Sequence, residues 1–281
     1  MIQRLITLNT EDCLIVTLSK LPKAPEPLSF NDFVDLKEVV KLLQPFEAAT
    51  NQISGQTYVT VSLIIPLVVG IHNNLTEIEQ FLTSDIGKEL CTKLKLSVIK
   101  RLFIYEQRTI PKIATLLDPR LKKYAFRNVE NANSAQQLVQ QEVTQLIRRE
   151  RQLHLENEPS TSQATSNEAT TSVAGLMDFL SQRISQTNPN AIADGIIAIR
   201  QYLELPTLEL NKNPILYWKK YPVKELQRIA ERYFCVPGTS VPSERIFSKA
   251  GQIVSARRSN LKPTNVNLLI FLNQNTWLIE K

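Results

Sequence analysis

The sequence predicts a mainly α chain, and three observations carry that reading. Apolar residues return at spacings of three and four along most segments. Strand-type alternation is weak throughout, and prolines and polar clusters divide the chain into helix-sized pieces. With 281 residues, 43% of them hydrophobic, the chain can hold one large domain or two small ones, each with a core.

The elements follow in order. Residues 1–20 are ambiguous between helix and strand, and a Pro-rich connector, Leu21–Pro27, comes next. Asn31 or Asp32 is expected to cap a helix carrying Phe33, Leu36, Val39, Val40 and Leu43, which Pro45 should kink or end. Residues 59–82 read as a helix interrupted at Pro66. Residues 86–106 read as a second, with Leu90, Leu94, Val98, Leu102 and Tyr105 on one face. Pro111 and Pro119 are expected to bracket a turn-rich segment. Residues 134–155 form a long polar helix with a thin stripe of Leu138, Val139, Val143, Leu146 and Ile147.

From Glu156 the composition changes to ENEPSTSQATSNEATTS, which has almost no apolar content to offset its ordering entropy. Residues 156–173 are therefore expected to be a disordered Ser/Thr-rich linker between a helical region, 1–155, and a second region, 174–281. Further helices are expected at 174–186, 190–203 and 223–234, the last with Leu226, Ile229, Ala230 and Tyr233 on one face. No internal repeat is visible.

Composition narrows the function classes. A net charge of +6 favours nucleic acid over acidic small molecules as a partner. Cys13, Cys91 and Cys235 are widely spaced and His72 and His154 are the two histidines, so no zinc finger can be assembled, and no metal site is expected. Three free thiols fit a reducing compartment. The longest apolar run, Val61–Val69, carries Pro66 in its middle and is too short for a membrane span, and Met1–Arg4 lacks the pattern of a signal peptide. None of the seven glycines stands in a phosphate-loop pattern.

The most informative stretch is SVPSERIFSKAGQIVSARRSN, residues 240–260. Ser240 suits an N-cap and Pro242 a first helical turn. Glu244, Ser248 and Gly251 then share one face, while Ile246, Phe247 and Ala250 are expected to pack inward. Glu244 has two readings. A carboxylate in a first turn is favoured by the helix dipole by about 0.3–1 kcal/mol. Alternatively it is a metal ligand, but one glutamate cannot hold the ions of a two-metal site alone. Arg245, Lys249, Arg257, Arg258 and Lys262 could neutralise nucleic-acid phosphates without reading sequence, or form a solvated basic loop.

Residues 262–278 open with Pro263 and place Val266, Leu269, Ile270 and Trp277 on one face and Leu268, Phe271 and Leu272 on another. A helix apolar nearly all round must be covered on both sides, by the rest of its own chain or by a partner.

The run SVPSERIFSKAGQIVSARRSNLKPTNVNLLIFLNQN resembles the C-terminal dimerisation region of hAT-superfamily DNA transposases and their domesticated BED-zinc-finger relatives. The resemblance extends to the Trp-containing lead-in at 213–240, to LLDPRLKKYAF at 116–126 and to residues 42–68. It implies a helical insertion-type region followed by the C-terminal piece of an RNase H-like core with a dimerisation helix. In that family two aspartates upstream of the insertion and one glutamate after it bind the catalytic metals. The glutamate lies in an S-E-R-x-F-S motif, here Ser243–Ser248, so the resemblance makes Glu244 the third acid of a triad.

Met1–Leu5 resembles a point in the family's central region just past both aspartates, and none of Asp12, Asp32, Asp35 and Asp118 stands in for them. The resemblance therefore implies a vestigial Glu244, no catalysis, and no cofactor unless a longer form supplies the missing acids for Mg²⁺. It implies a dimerisation module, associated with DNA in the nucleus, that pairs as a homodimer or with a related protein through Val266, Leu268, Leu269, Phe271, Leu272 and Trp277. Two alternatives stand beside it: a fragment of a metal-dependent transposase, and a helical scaffold for acidic protein partners.

Overall fold

A computed structural model describes residues 2–7, 28–157, 190–254 and 261–276, together with positions 16, 20 and 26. The described residues form helices and short 3₁₀ turns, with no strand among them. The expected linker beyond Asn157, the helix at 174–186, Cys13, Arg257, Arg258 and Trp277 lie outside the described residues.

After a short helix α1, Ile2–Thr7, the first long element is α2, Phe30–Ile53. Its cap is Ser29, not Asn31 or Asp32. The Ser29 hydroxyl accepts from the Asp32 N–H at 3.2 Å, and the Asp32 carboxylate accepts from the Ser29 N–H at 2.7 Å. Asp32 is thus the third-position partner of a capping box. Pro45 neither ends the helix nor marks its boundary, since α2 continues for two more turns. A mid-helix proline costs about 3 kcal/mol. Packing overrides it: Leu42 is fully buried and Phe46 packs against the same cluster.

Two further prolines fall at helix starts, which their spacing did not reveal. A 3₁₀ turn, Val61–Leu63, leads into α3, Ile64–Glu79, so Pro66 sits in the first turn. The N–H that proline lacks would have had no intrahelical acceptor there. The continuous segment Val61–Glu79 is consequently long and apolar enough, by length and composition, to cross a membrane, a possibility the reading of Pro66 as a break had set aside. Here its Ile64, Ile65, Val68, Ile71 and Leu75 are buried in the protein core. Pro111 likewise lies in the first turn of α5, Thr109–Leu117, where a turn-rich segment was expected. Every residue of α5 from Pro111 to Leu117 is buried.

Between these lie α4, Asp85–Arg101, and a 3₁₀ turn, Phe103–Glu106. Beyond α5 come α6, Val129–Asn157; α7, Ala191–Glu204; α8, Pro214–Lys219; and α9, Lys224–Phe234. The smaller core joins α2, α3 and α4 through Leu42, Val68, Ile71, Leu75, Cys91 and Val98. The larger core surrounds α5 and takes Val139 and Val143 from α6, Ile199 and Tyr202 from α7, Trp218 from α8 and Leu226 and Ile229 from α9. Helices from both sides of residues 158–189 therefore share one core.

Polar groups tie that core at the end of α5. The Trp218 indole N–H donates to the Leu117 carbonyl at 2.9 Å, and the Tyr202 hydroxyl donates to the Leu116 carbonyl at 3.1 Å. Two of the helix's last carbonyls thus find partners from distant elements. Asp118, which follows, is fully buried. It accepts from the Arg120 N–H at 3.0 Å, from Arg120 Nε at 2.9 Å and Nη2 at 2.6 Å, and from the Ser62 hydroxyl at 2.7 Å.

Lys122 completes the turn at φ 48°, a left-handed conformation that costs a side-chain-bearing residue roughly 1–2 kcal/mol. Its buried ammonium donates to the carbonyls of Tyr202 and Leu205 at the end of α7 and lies 5.0 Å from the Tyr202 ring centroid. A cation at a helix C-terminus offsets the strain. Burial pulls the Lys122 ammonium below its usual pKa.

Candidate interaction surface of the C-terminal helices

The last two helices, α10, Val241–Ile253, and α11, Pro263–Gln274, stand apart from both cores. The chain reaches them through Pro237–Gly238, where the Gly238 N–H donates to the Thr60 hydroxyl at 2.9 Å. A Cβ at Gly238 would lie 3.1 Å from the Thr60 backbone, so glycine permits this close approach. Ser240 takes the cap position of α10, as its sequence suggested, but with helical φ and ψ. Its side chain caps no backbone N–H. The Ser240 hydroxyl instead donates to Glu244 Oε1 at 2.5 Å. Pro242 sits in the first turn as expected.

Glu244 is exposed in that first turn, and no group of three or more His, Cys, Asp or Glu able to hold a metal occurs among the described residues. Asp118 is committed to Arg120 and Ser62. Glu244 lies exposed at the start of α10 with the Ser240 hydroxyl as its hydrogen-bond partner. Arg245, Lys249 and Lys262 are exposed. The Lys249 ammonium donates to Asn273 Oδ1 at 2.9 Å and so links α10 to α11, a structural role its sequence did not indicate.

α10 and α11 pack on each other but bury no residue fully. Ile246 and Phe247, expected to point inward, are 39% and 75% exposed, because nothing in the described chain covers that side of α10. On α11, Val266 and Ile270 are half-buried. Leu268 and Phe271 are each 59% exposed, and Leu269 and Leu272 are open as well. Of the two covers that the sequence left open, the described residues do not supply the outer one. Beneath this pair of helices a groove of about 470 Å³ is lined by Ile215, Phe234, Val236, Pro242, Ile246 and Gln274 among others.

Large side chains such as Phe271 and Phe247 lose about 1.5–3 kcal/mol each relative to full burial. Several of them on adjacent helix faces make a contiguous apolar surface of the kind that marks an interface. Periodicity showed that these residues are apolar, but not which of them the described residues would leave uncovered.

Comparison with known proteins agrees with that geometry. Residues 198–276 match the hAT family C-terminal dimerisation region. The C-terminal part of this chain is therefore similar to that region. The hAT match begins inside α7 and ends just past α11, so its first half is locked into the larger core while its second half is the open α10–α11 pair.

The chain is also 28% identical over 266 residues to zinc finger BED domain-containing protein 4 of Homo sapiens. That alignment covers 90% of this chain, which spans only 21% of the relative's length. The resemblance to hAT proteins and their BED-finger relatives holds.

Proposed function

We propose that this chain is a transposase-derived module that pairs two copies, or one copy and a related chain, through α10 and α11. One observation carries the reading: two adjacent helices, inside the residues that match a dimerisation region, leave Phe247, Leu268, Phe271 and Leu272 open to solvent. A second copy is the fitting occupant because the same surface on two molecules can close on itself about a two-fold axis. The interface residues are Val266, Leu268, Leu269, Phe271 and Leu272, with Trp277 beside them in sequence. Phe247 and Ile246 from α10 join them.

In this reading the module is not catalytic. Glu244 is the vestigial third acid of a triad, and α10 is the C-terminal piece of an RNase H-like core. The module works in the nucleus as part of a DNA-associated protein, with Arg245, Lys249, Arg257, Arg258 and Lys262 contributing phosphate contacts. The experiment is sedimentation of the full chain beside a Leu268→Asp/Phe271→Asp variant. A concentration-dependent dimer that the variant abolishes supports the proposal. A monomer at tens of micromolar in both rejects it.

A further inference from the structure

Charge is unevenly placed along this chain. Residues 85–127 hold eleven Lys and Arg against four Asp and Glu, a balance of +7, which leaves −1 for everything else in a chain whose total is +6. The four acids of that stretch do little to offset the field at its surface. Asp118 is fully buried against Arg120, and Glu106 is buried, accepting from the Asn128 N–H at 2.8 Å. Glu89 is paired with Lys93 at 2.6 Å, and Asp85 opens α4 at the end away from Arg101, about 24 Å along the helix.

At the other end of α4 four cations gather about the 3₁₀ turn Phe103–Glu106. Lys100 and Arg101 close the helix, and Arg108 follows the turn. The Arg127 guanidinium lies 4.1 Å from the centroid of the Phe103 ring. All four are exposed, and Lys100, Arg101 and Arg108 make no ion pair among the described residues. Cations in a last helical turn are favoured by the dipole, but only by about 0.3–1 kcal/mol. That accounts for Lys100 and Arg101, and the Phe103 ring holds Arg127, while Arg108 has no ion pair among the described residues. Arg127 is half-exposed and its nearest acid, Glu106, is 3.9 Å away.

We infer that this α4 end, with Lys100, Arg101, Arg108 and Arg127, is a second polyanion-binding face whose partner is the phosphate backbone of duplex DNA. It is separate from the basic run at 245–262. The inference rests on the proposed DNA association and locates where the phosphates sit. Three exposed cations without an ion pair, beside an Arg127 only loosely paired to Glu106 at 3.9 Å, gain most from a partner of dense, regular negative charge, because each phosphate contact releases a condensed counterion. The groups are side chains on a helix end and a turn. They fix position and carry no base readout.

The test measures binding of the full chain to a fluorescently labelled random-sequence duplex between about 50 and 200 mM salt. Three proteins are compared: wild type, the triple variant Lys100→Gln/Arg101→Gln/Arg108→Gln, and the variant Arg245→Gln/Arg257→Gln/Arg258→Gln/Lys262→Gln. Thermal melts verify that both variants fold. The triple variant is expected to bind at least about tenfold more weakly at 100 mM salt, with the log–log salt slope shallower by about 3. If the triple variant keeps the wild-type slope and affinity while the second variant loses them, this inference fails and DNA association stands. If the wild type does not bind duplex at all, both fail. If an acidic polypeptide binds this face and duplex does not displace it, the inference fails as well.

Discussion

Replacing Asp118 by alanine should be among the most damaging single changes to this chain. The carboxylate is wholly buried and accepts four hydrogen bonds, three from Arg120 and one from the Ser62 hydroxyl. Arg120 is itself only 10% exposed, and its remaining acceptor is the Leu210 carbonyl at 3.3 Å. Removing the carboxylate therefore leaves a nearly buried guanidinium without a counter-charge, which costs about 3–5 kcal/mol. For a chain of this size that corresponds to a melting temperature lower by roughly 10 °C.

Urea unfolding of the wild type, Asp118→Ala, Arg120→Ala and the double variant tests the reasoning. The double variant should recover part of the loss, because the uncompensated charge is gone. A single Asp118→Ala change costing less than about 1 kcal/mol, or a double variant with the two losses simply added, would refute the pairing as the source of stability.

Four other substitutions test the same structure. Burial pushes the Glu38 carboxyl up, but donors from Thr83 and Ser84 outweigh it and leave the group below its usual range. Its contribution is thus present above the unfolded pKa and lost as pH falls through the folded one, so Glu38→Gln should flatten the loss of stability below about pH 5 in acid titrations followed by circular dichroism. Gly238→Ala should lower stability by about 1–3 kcal/mol, since its Cβ meets the Thr60 backbone at 3.1 Å. Gly251→Ala, with nothing within 4 Å on α10, should be neutral or stabilising by up to about 1 kcal/mol in the same melts. Glu244→Gln should change stability by less than about 1 kcal/mol. Neither that variant nor the wild type should nick plasmid DNA in Mg²⁺ or Mn²⁺; cleavage abolished by the substitution would overturn the non-catalytic reading.

The sequence made the helices legible wherever apolar spacing was regular. The stripe of Val139, Val143 and Ile147 and the face of Leu226, Ile229, Ala230 and Tyr233 are buried as their periodicity required. Prolines misled, because one residue type both begins helices and breaks them. Pro66 and Pro111 occupy first turns, and Pro45 is carried inside α2 by the packing on either side of it.

Long-range partners were not legible. Nothing local to Lys122 says that its ammonium reaches the end of α7, eighty residues on, and nothing local to Ile246 or Phe247 says that no described helix covers them. Periodicity tells which face is apolar. Only the three-dimensional arrangement tells what that face meets.

Sedimentation equilibrium of the full chain across a concentration series shows whether α10 and α11 form an interface between chains. The expected result is a species of twice the chain mass that dissociates on dilution and becomes monomeric with Leu268→Asp/Phe271→Asp, while the melting of the two cores is unchanged. A wild type that stays monomeric throughout, or a dimer that survives both aspartates, would contradict that interface.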